Sequence, residues 1–212
     1  MMDLSNYLNE RKLLIDNALA SRLPIVDTEP RLVHEAMRHA VLNGGKRLRP
    51  IITLAVQDLA PDRIETPEPI LDIASAIEFV HAASLILDDL PCMDDARERR
   101  GQPCTHLQYG TATALLAAIS LIGKAFALSS HGAAQGPPKA CCGAVQRLAQ
   151  ALGATGLVYG QHLDLQFTGK SPDLENLEQI HRYKAGALFE AAVELPALAL
   201  GLDSAQRDAL LR

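Results

Sequence analysis

Four aspartates, Asp88, Asp89, Asp94 and Asp95, flank Leu90-Pro91-Cys92-Met93 directly behind the apolar run over residues 79–87. A run of that kind reads as a buried helix, so the chain has to end a buried helix on four carboxylates. Like charges this close raise one another's pKa and oppose folding unless a cation compensates them. The helix dipole also disfavours anions at a C-terminus, which favours a bound cation over a merely solvated acidic turn. Hard divalent cations prefer carboxylate oxygens, and Mg²⁺ usually takes one or two carboxylates together with water and phosphate oxygens. The cluster therefore suggests a platform for a metal-bound phosphate rather than a closed structural cage.

A second cluster supplies what a phosphate needs. Asn43-Gly44-Gly45-Lys46-Arg47-Leu48-Arg49-Pro50 combines two permissive glycines with three cations, so backbone and side-chain donors can crowd round an anion. Arg99 and Arg100 follow the acidic run within a few residues and add guanidinium forks for bare phosphate oxygens. Taken singly, each basic pair reads more readily as soluble surface; it is their combination with the aspartates that points to a site.

Helical periodicity, broken by Gly, Pro and polar stretches, divides the chain into helical segments, and no run alternates as a strand does. The expected helices cover residues 4–23, 31–42, 47–59, 68–89, 109–130, 139–151, 155–168, 173–196 and 204 onward, with a loop over 61–69 and a Gly/Pro connector over 131–138. Pro50 is acceptable because it falls in a first helical turn. Pro91 ends its helix and lets Asp94 fold back beside it. With 212 residues, 48% hydrophobic but only 4% aromatic, the core is mostly Ala, Leu, Ile and Val in helices. One domain over residues 1–212 is expected. A formal charge of −5 argues against a nucleic-acid partner, which normally requires a broad basic field. The first twelve residues are too charged for a secretory signal, and Lys124 interrupts the longest apolar helix, so a cytoplasmic protein without a membrane span is expected. Cys92, Cys104, Cys141 and Cys142 have no zinc spacing and read as reduced thiols.

Five ordered motifs give the pattern a resemblance. Gly44-Gly45-Lys46-Arg47-Leu48-Arg49-Pro50, Leu87-Asp88-Asp89-Leu90-Pro91-Cys92-Met93-Asp94-Asp95, Arg99-Arg100-Gly101-Gln102-Pro103, Gly160-Gln161-His162-Leu163-Asp164-Leu165 and Lys184-Ala185-Gly186-Ala187-Leu188-Phe189 resemble the trans-isoprenyl diphosphate synthases, the farnesyl and geranylgeranyl diphosphate synthases. The resemblance implies an all-α fold, a single-domain antiparallel helical bundle with a central substrate cavity. It also implies a homodimer, and motifs that share one site. In it, Asp88 and Asp94 bind Mg²⁺ that grips an allylic diphosphate, Asp89 and Asp95 support them, and Asp164 holds a metal-bound water. Gly45, Lys46, Arg49, His81 and Arg100 bind the diphosphate of isopentenyl diphosphate; Arg99 and Lys184 bind that of the allylic substrate, dimethylallyl, geranyl or farnesyl diphosphate; Gln161 lies three residues from Asp164 on the same helix face. A lone histidine on an apolar helix is more often a core residue, and only the family pattern makes His81 a ligand.

The reaction so implied is ionisation of the allylic diphosphate, condensation and proton loss, with Asp88, Asp89, Asp94, Arg99 and Lys184 stabilising the departing group. Ser84 lies one turn, about 5.4 Å, before Asp88 with Ala83 beside it. Both are small, where farnesyl synthases tend to carry an aromatic residue, so the resemblance is to the bacterial geranylgeranyl type and a twenty-carbon product is favoured over fifteen. Two departures stand out. Ala185 replaces the family's threonine, which is expected to tune activity, and the family's second aspartate-rich motif would fall beyond Arg212, so a fragment or a diverged partner is expected. A non-catalytic regulatory subunit is the alternative function; a class I terpene cyclase would have no need of Lys46 and Arg49.

Overall fold

The computed structural model describes residues 3–60 and 67–212; residues 61–66 of the expected loop over 61–69, and residues 1–2, lie outside the described residues. The described residues are predominantly helical, as the periodicity predicts, with one short hairpin besides. They divide into two compact units, Met1–Ile51 with Ala74–Leu128 and Ile52–Ile73 with Ser129–Arg212.

In the first unit, α1 (Leu4–Arg22) starts on Asp3, whose carboxylate accepts from Ser5 N at 3.0 Å, and packs on α2 (Arg31–Leu42). Helix α3 (Leu48–Leu59) begins in this unit and α4 (Glu68–Asp88) ends in it. Residues 70–80 of α4 are all buried, as a helix apolar on every side must be. Its two buried acids are both partnered: Glu78 by Arg47 at 2.7 Å and, within the second unit, Asp72 by His131 at 2.6 Å. After α4 come a two-stranded hairpin, β1 (Glu98–Arg99) and β2 (Gln102–Pro103), the short α5 (Thr105–Tyr109), and α6 (Thr111–Ala133). Ala114, Ala117, Ala118, Leu121 and Ala125, spaced three and four apart, form the buried stripe of α6.

In the second unit α7 (Ala140–Leu152) packs on α10 (Ala187–Ala199) through Ala144, Leu148 and Ala151 against Leu188, Ala191 and Leu195. Between them in sequence lie α8 (Leu157–Gln166), α9 (Leu174–Ile180) and a π-helical turn, His181–Gly186; α11 (Ser204–Leu210) follows with a capping box on Asp203 and Gln206.

Three boundaries depart from the sequence reading. Helix α6 runs through Gly132, which looked like a connector. A Cβ there would collide with the carbonyl of Pro69, and the glycine is what allows α6 to pass so close to the first turn of α4. Pro196 looked like a helix end, yet α10 continues to Ala199. Proline supplies no N–H to the carbonyl four residues back, Ala192; the buried Thr53 hydroxyl donates to that oxygen instead, at 3.0 Å. The single helix expected over 173–196 is two helices joined by the π-helical turn.

Helices α4 and α6 are both long and apolar enough to cross a membrane by length and composition. Most of α4 is buried inside the protein; α6 is much less so, with Lys124 exposed on it.

Candidate active site

The acidic run follows α4 as a tight turn. The helix stops at Asp88, Pro91 lies in the turn, and the chain folds back so that Asp94 N donates to the Asp88 carbonyl at 3.0 Å and Asp95 N to that of Leu90 at 3.1 Å. Asp95 takes a left-handed φ of 46° in doing so. Asp88 and Asp94 are thereby held side by side, Asp88 half-buried and Asp94 exposed. Asp89 goes the other way. It is buried, and its carboxylate accepts from Arg99 Nε at 3.1 Å and from the terminal guanidinium nitrogen of the same arginine. Among the described residues no three His, Cys, Asp or Glu side chains converge to hold a metal ion. Two aspartates joined by a backbone hydrogen bond, without a preformed cage, are nevertheless compatible with Mg²⁺, since most of its octahedron is filled by water and phosphate oxygens.

Arg99 and Arg100 are presented by the hairpin, which sequence reading missed because its strands are only two residues long. Arg99 pairs with Gln102 in antiparallel register, and Arg100 and Gly101, with φ of 56° and 79°, make a type I′ turn. Side chains from α2 pin the hairpin: Asn43 Nδ2, just past its end, donates to the Arg99 carbonyl at 3.1 Å, and a His39 ring nitrogen lies 3.0 Å from the Pro103 carbonyl. The hydrogen bond that Arg99 donates to the Asp89 carboxylate raises the Arg99 pKa. Cys104, at the foot of the hairpin, is buried, and burial followed by its bond to Asp89 pushes the thiol up to about 11.

The glycine-rich loop meets the hairpin through Arg100. One of its terminal nitrogens donates to the Gly44 carbonyl at 2.6 Å, and its guanidinium lies so close under Gly45 that a Cβ there would sit 2.8 Å from Arg100 Cζ. Gly45 also has φ +116°, which an L side chain rarely adopts. The three cations of the loop then separate. Lys46 is exposed and Arg49 half-buried, with burial lowering the Arg49 pKa. Arg47 is buried and does not join the exposed phosphate-facing set that the sequence suggested. On α4, His81 is half-buried, and desolvation drives its pKa down to about 4 while the nearby Glu78 carboxylate works in the opposite direction. Glu78 and Asp16 were missed as members of this cluster. The signal for Glu78 was available: an acid inside an otherwise apolar helical run needs a partner. Ala83 is fully buried, and the Ser84 hydroxyl, half-buried, donates to the His81 carbonyl at 2.8 Å.

The second unit holds Gln161, Asp164 and Lys184. Gln161 and Asp164 lie on α8, both half-buried, and Lys184 in the π-helical turn donates to Asp164 Oδ2 at 2.5 Å. Gly160 makes this approach possible, because any side chain there would occupy the space of the Lys184 backbone.

Helices throughout save for one short hairpin, with a carboxylate turn after α4 and clustered cations beside it, are features of the isoprenoid-synthase class. Residues 30–212 match the polyprenyl synthetase family, and the chain belongs to it. The match runs through both compact units. The chain is 41% identical over 207 residues to a chloroplastic geranylgeranyl pyrophosphate synthase of Capsicum annuum, covering 97% of this chain and 55% of that protein. It is 42% identical over 200 residues to the geranylgeranyl diphosphate synthase of Pantoea ananas, covering 93% and 65%. Its fold is similar to that of an FPP/GFPP synthase of Zymomonas mobilis, with a TM-score of 0.89 at 35% identity over 98% of this chain and 74% of that one. A geranyltransferase of Legionella pneumophila gives 0.88 at 31% identity, covering 98% and 73%. The chain spans a little over half to two thirds of the length of these curated relatives.

Proposed function

We propose that the protein is a trans-prenyltransferase that condenses an allylic diphosphate with isopentenyl diphosphate, releasing diphosphate, to give geranylgeranyl diphosphate in preference to farnesyl diphosphate. The observation that carries this reading is the Asp88–Asp94 turn standing next to a hairpin that presents Arg99 and Arg100 to the acidic turn and the glycine loop respectively. Relatives named as geranylgeranyl diphosphate synthases support the product class.

In this reading Asp88 and Asp94 would hold Mg²⁺. The ion, when bound, supplies Lewis-acid neutralisation of the leaving diphosphate. Arg99, aimed by Asp89, places fixed positive charge on the diphosphate as the C1–O bond breaks and negative charge gathers on it. Lys46, Arg49 and Arg100 hold the diphosphate of isopentenyl diphosphate, and His81, neutral at physiological pH, offers it a hydrogen bond rather than a charge. The double bond of that substrate attacks C1 of the allylic cation, a new C–C bond forms, and the proton lost from its C2 goes to the released diphosphate. No side-chain base is required; aliphatic walls keep water from the cation. Ser84, small and half-buried one turn before Asp88, leaves room for a growing chain, whereas Ala83 beside it is closed inside the core.

The same reading makes the protein a cytoplasmic homodimer. Its support is the exposed side of α6, where Leu115, Leu116 and Ile119 are 39%, 53% and 64% exposed. Ile119→Asp is expected to give monomers in sedimentation velocity.

The decisive assay incubates the protein with Mg²⁺, labelled isopentenyl diphosphate and farnesyl diphosphate and identifies the product by chain length. It is run on residues 1–212 and on any longer native form. Labelled geranylgeranyl diphosphate supports the synthase; no turnover from either form, together with binding to another prenyl synthase, would support the regulatory-subunit alternative instead.

A further inference from the structure

Arg47 stands between Lys46 and Arg49, two residues read above as diphosphate ligands, yet it is 3% exposed. Its guanidinium is committed to three bonds inside the protein. Nε donates to Asp16 Oδ1 of α1 at 2.9 Å, one terminal nitrogen to Glu78 Oε1 of α4 at 2.7 Å, and the other to the Val41 carbonyl in the last turn of α2 at 2.8 Å. Three helices are thus tied to one side chain, and its own carbonyl accepts from Ile51 N at 3.0 Å in the first turn of α3. Its backbone is left-handed, with φ +53°, a conformation unfavourable for an L residue unless the surroundings over-determine it. The fork geometry of arginine does so here by bonding in three directions at once.

Glu78 has a second role in the same cluster. It is buried at 3% exposure, and its charge favours the protonated forms of Arg49, His81 and Arg100. It serves as an internal counter-ion for the basic cluster while Arg47 secures it.

We propose that Arg47 is a positioning residue for isopentenyl diphosphate: held by Asp16, Glu78 and Val41, it fixes the course of the loop that carries Lys46 and Arg49, without touching the substrate itself. The inference rests on the prenyltransferase reading above. Because Arg47 belongs to the glycine loop and not to the Asp88–Asp94 turn or to Arg99, its loss should be felt by one substrate and not the other. A general loosening of the fold would be felt by both.

Removing Arg47 alone leaves Glu78 as a buried uncompensated charge, so the main variant is Arg47→Gln with Glu78→Gln, compared with Glu78→Gln alone because Glu78 also faces Arg49, His81 and Arg100. Arg47→Lys, which keeps the charge but not the fork, is the second. Thermal unfolding and steady-state kinetics are measured for both substrates. For whichever variant keeps its Tm, the KM for isopentenyl diphosphate should rise about tenfold, with kcat and the allylic KM changing less than about threefold. Equal rises in both KM values, or an unchanged KM for isopentenyl diphosphate, would overturn the assignment. Absence of condensation activity from both residues 1–212 and any longer native form would refute the prenyltransferase reading. Direct calorimetric binding of isopentenyl diphosphate would then decide the role of Arg47, with about tenfold weaker binding by the variant expected and equal binding overturning it.

Discussion

Lys184 Nζ lies 2.5 Å from Asp164 Oδ2, so a residue assigned to a diphosphate and a residue assigned to a metal-bound water are each other's counter-charge. The pair spans α8 and the π-helical turn, and the extra residue of that turn accompanies the close approach of Lys184 to Gly160. Both side chains are about a third exposed, at 30% and 39%, so solvent screens the pair. Asp164→Asn should therefore cost less than about 1 kcal/mol in urea denaturation. Turnover should fall at least tenfold, because the pair's importance lies in aiming Lys184. A stability loss as large as the activity loss would mean that the pair is structural.

Gly45 leaves no room for a side chain above Arg100 and sits at φ +116°. Gly45→Ala should displace the Arg100 guanidinium and break its bond to the Gly44 carbonyl. The expected result is a KM for isopentenyl diphosphate raised about tenfold at nearly unchanged allylic KM. Equal KM values for wild type and variant would show that Arg100 does not serve that substrate.

Burial depresses the pKa of His81 from 6.5 to about 4. As pH falls, the unfolded chain therefore takes up the proton first. The contribution of His81 to stability is complete above about pH 6.5 and is lost progressively toward pH 4, below which both states are protonated. Imidazole NMR should show His81 neutral down to about pH 5, and His81→Asn should flatten the fall in stability between pH 6.5 and 4. An imidazole titrating at 6.5 or above in the folded protein would contradict its buried placement.

The helical architecture and the five motifs were legible because both are carried locally: apolar spacing for the helices, and residue types at fixed offsets for the motifs. What stayed hidden depends on neighbours distant in sequence. Gly132 looks like a linker until Pro69 is found against it, and Pro196 looks like a stop until Thr53 supplies the missing donor to Ala192. Arg47 reads like Lys46 and Arg49 in a string of cations, and only Asp16, Val41 and Glu78 set it apart. The hairpin was missed for a different reason: with strands of two residues, periodicity has nothing to register, and the Arg100-Gly101 turn lacks the usual Asn or Asp.

The four thiols are all free, but they are not equivalent. Cys92 and Cys142 are exposed, whereas Cys104 is buried with its pKa pushed up to about 11. Iodoacetamide at pH 8, followed by peptide mass spectrometry, should label Cys92 and Cys142 and spare Cys104. Rapid labelling of Cys104 in folded protein would show that the foot of the hairpin opens, and with it the Asp89–Arg99 pairing.

The most direct test of the prenyltransferase reading is the stoichiometry of the reaction itself. Diphosphate release and incorporation of labelled isopentenyl diphosphate are followed together, with farnesyl diphosphate and Mg²⁺, for the wild type and for Asp88→Asn. The account predicts that the wild type releases one diphosphate for each isopentenyl unit joined, and that Asp88→Asn loses both activities in parallel. Diphosphate release without incorporation of isopentenyl diphosphate would contradict it, because the acidic turn would then serve ionisation without condensation and the loop carrying Lys46 and Arg49 would have no second diphosphate to bind.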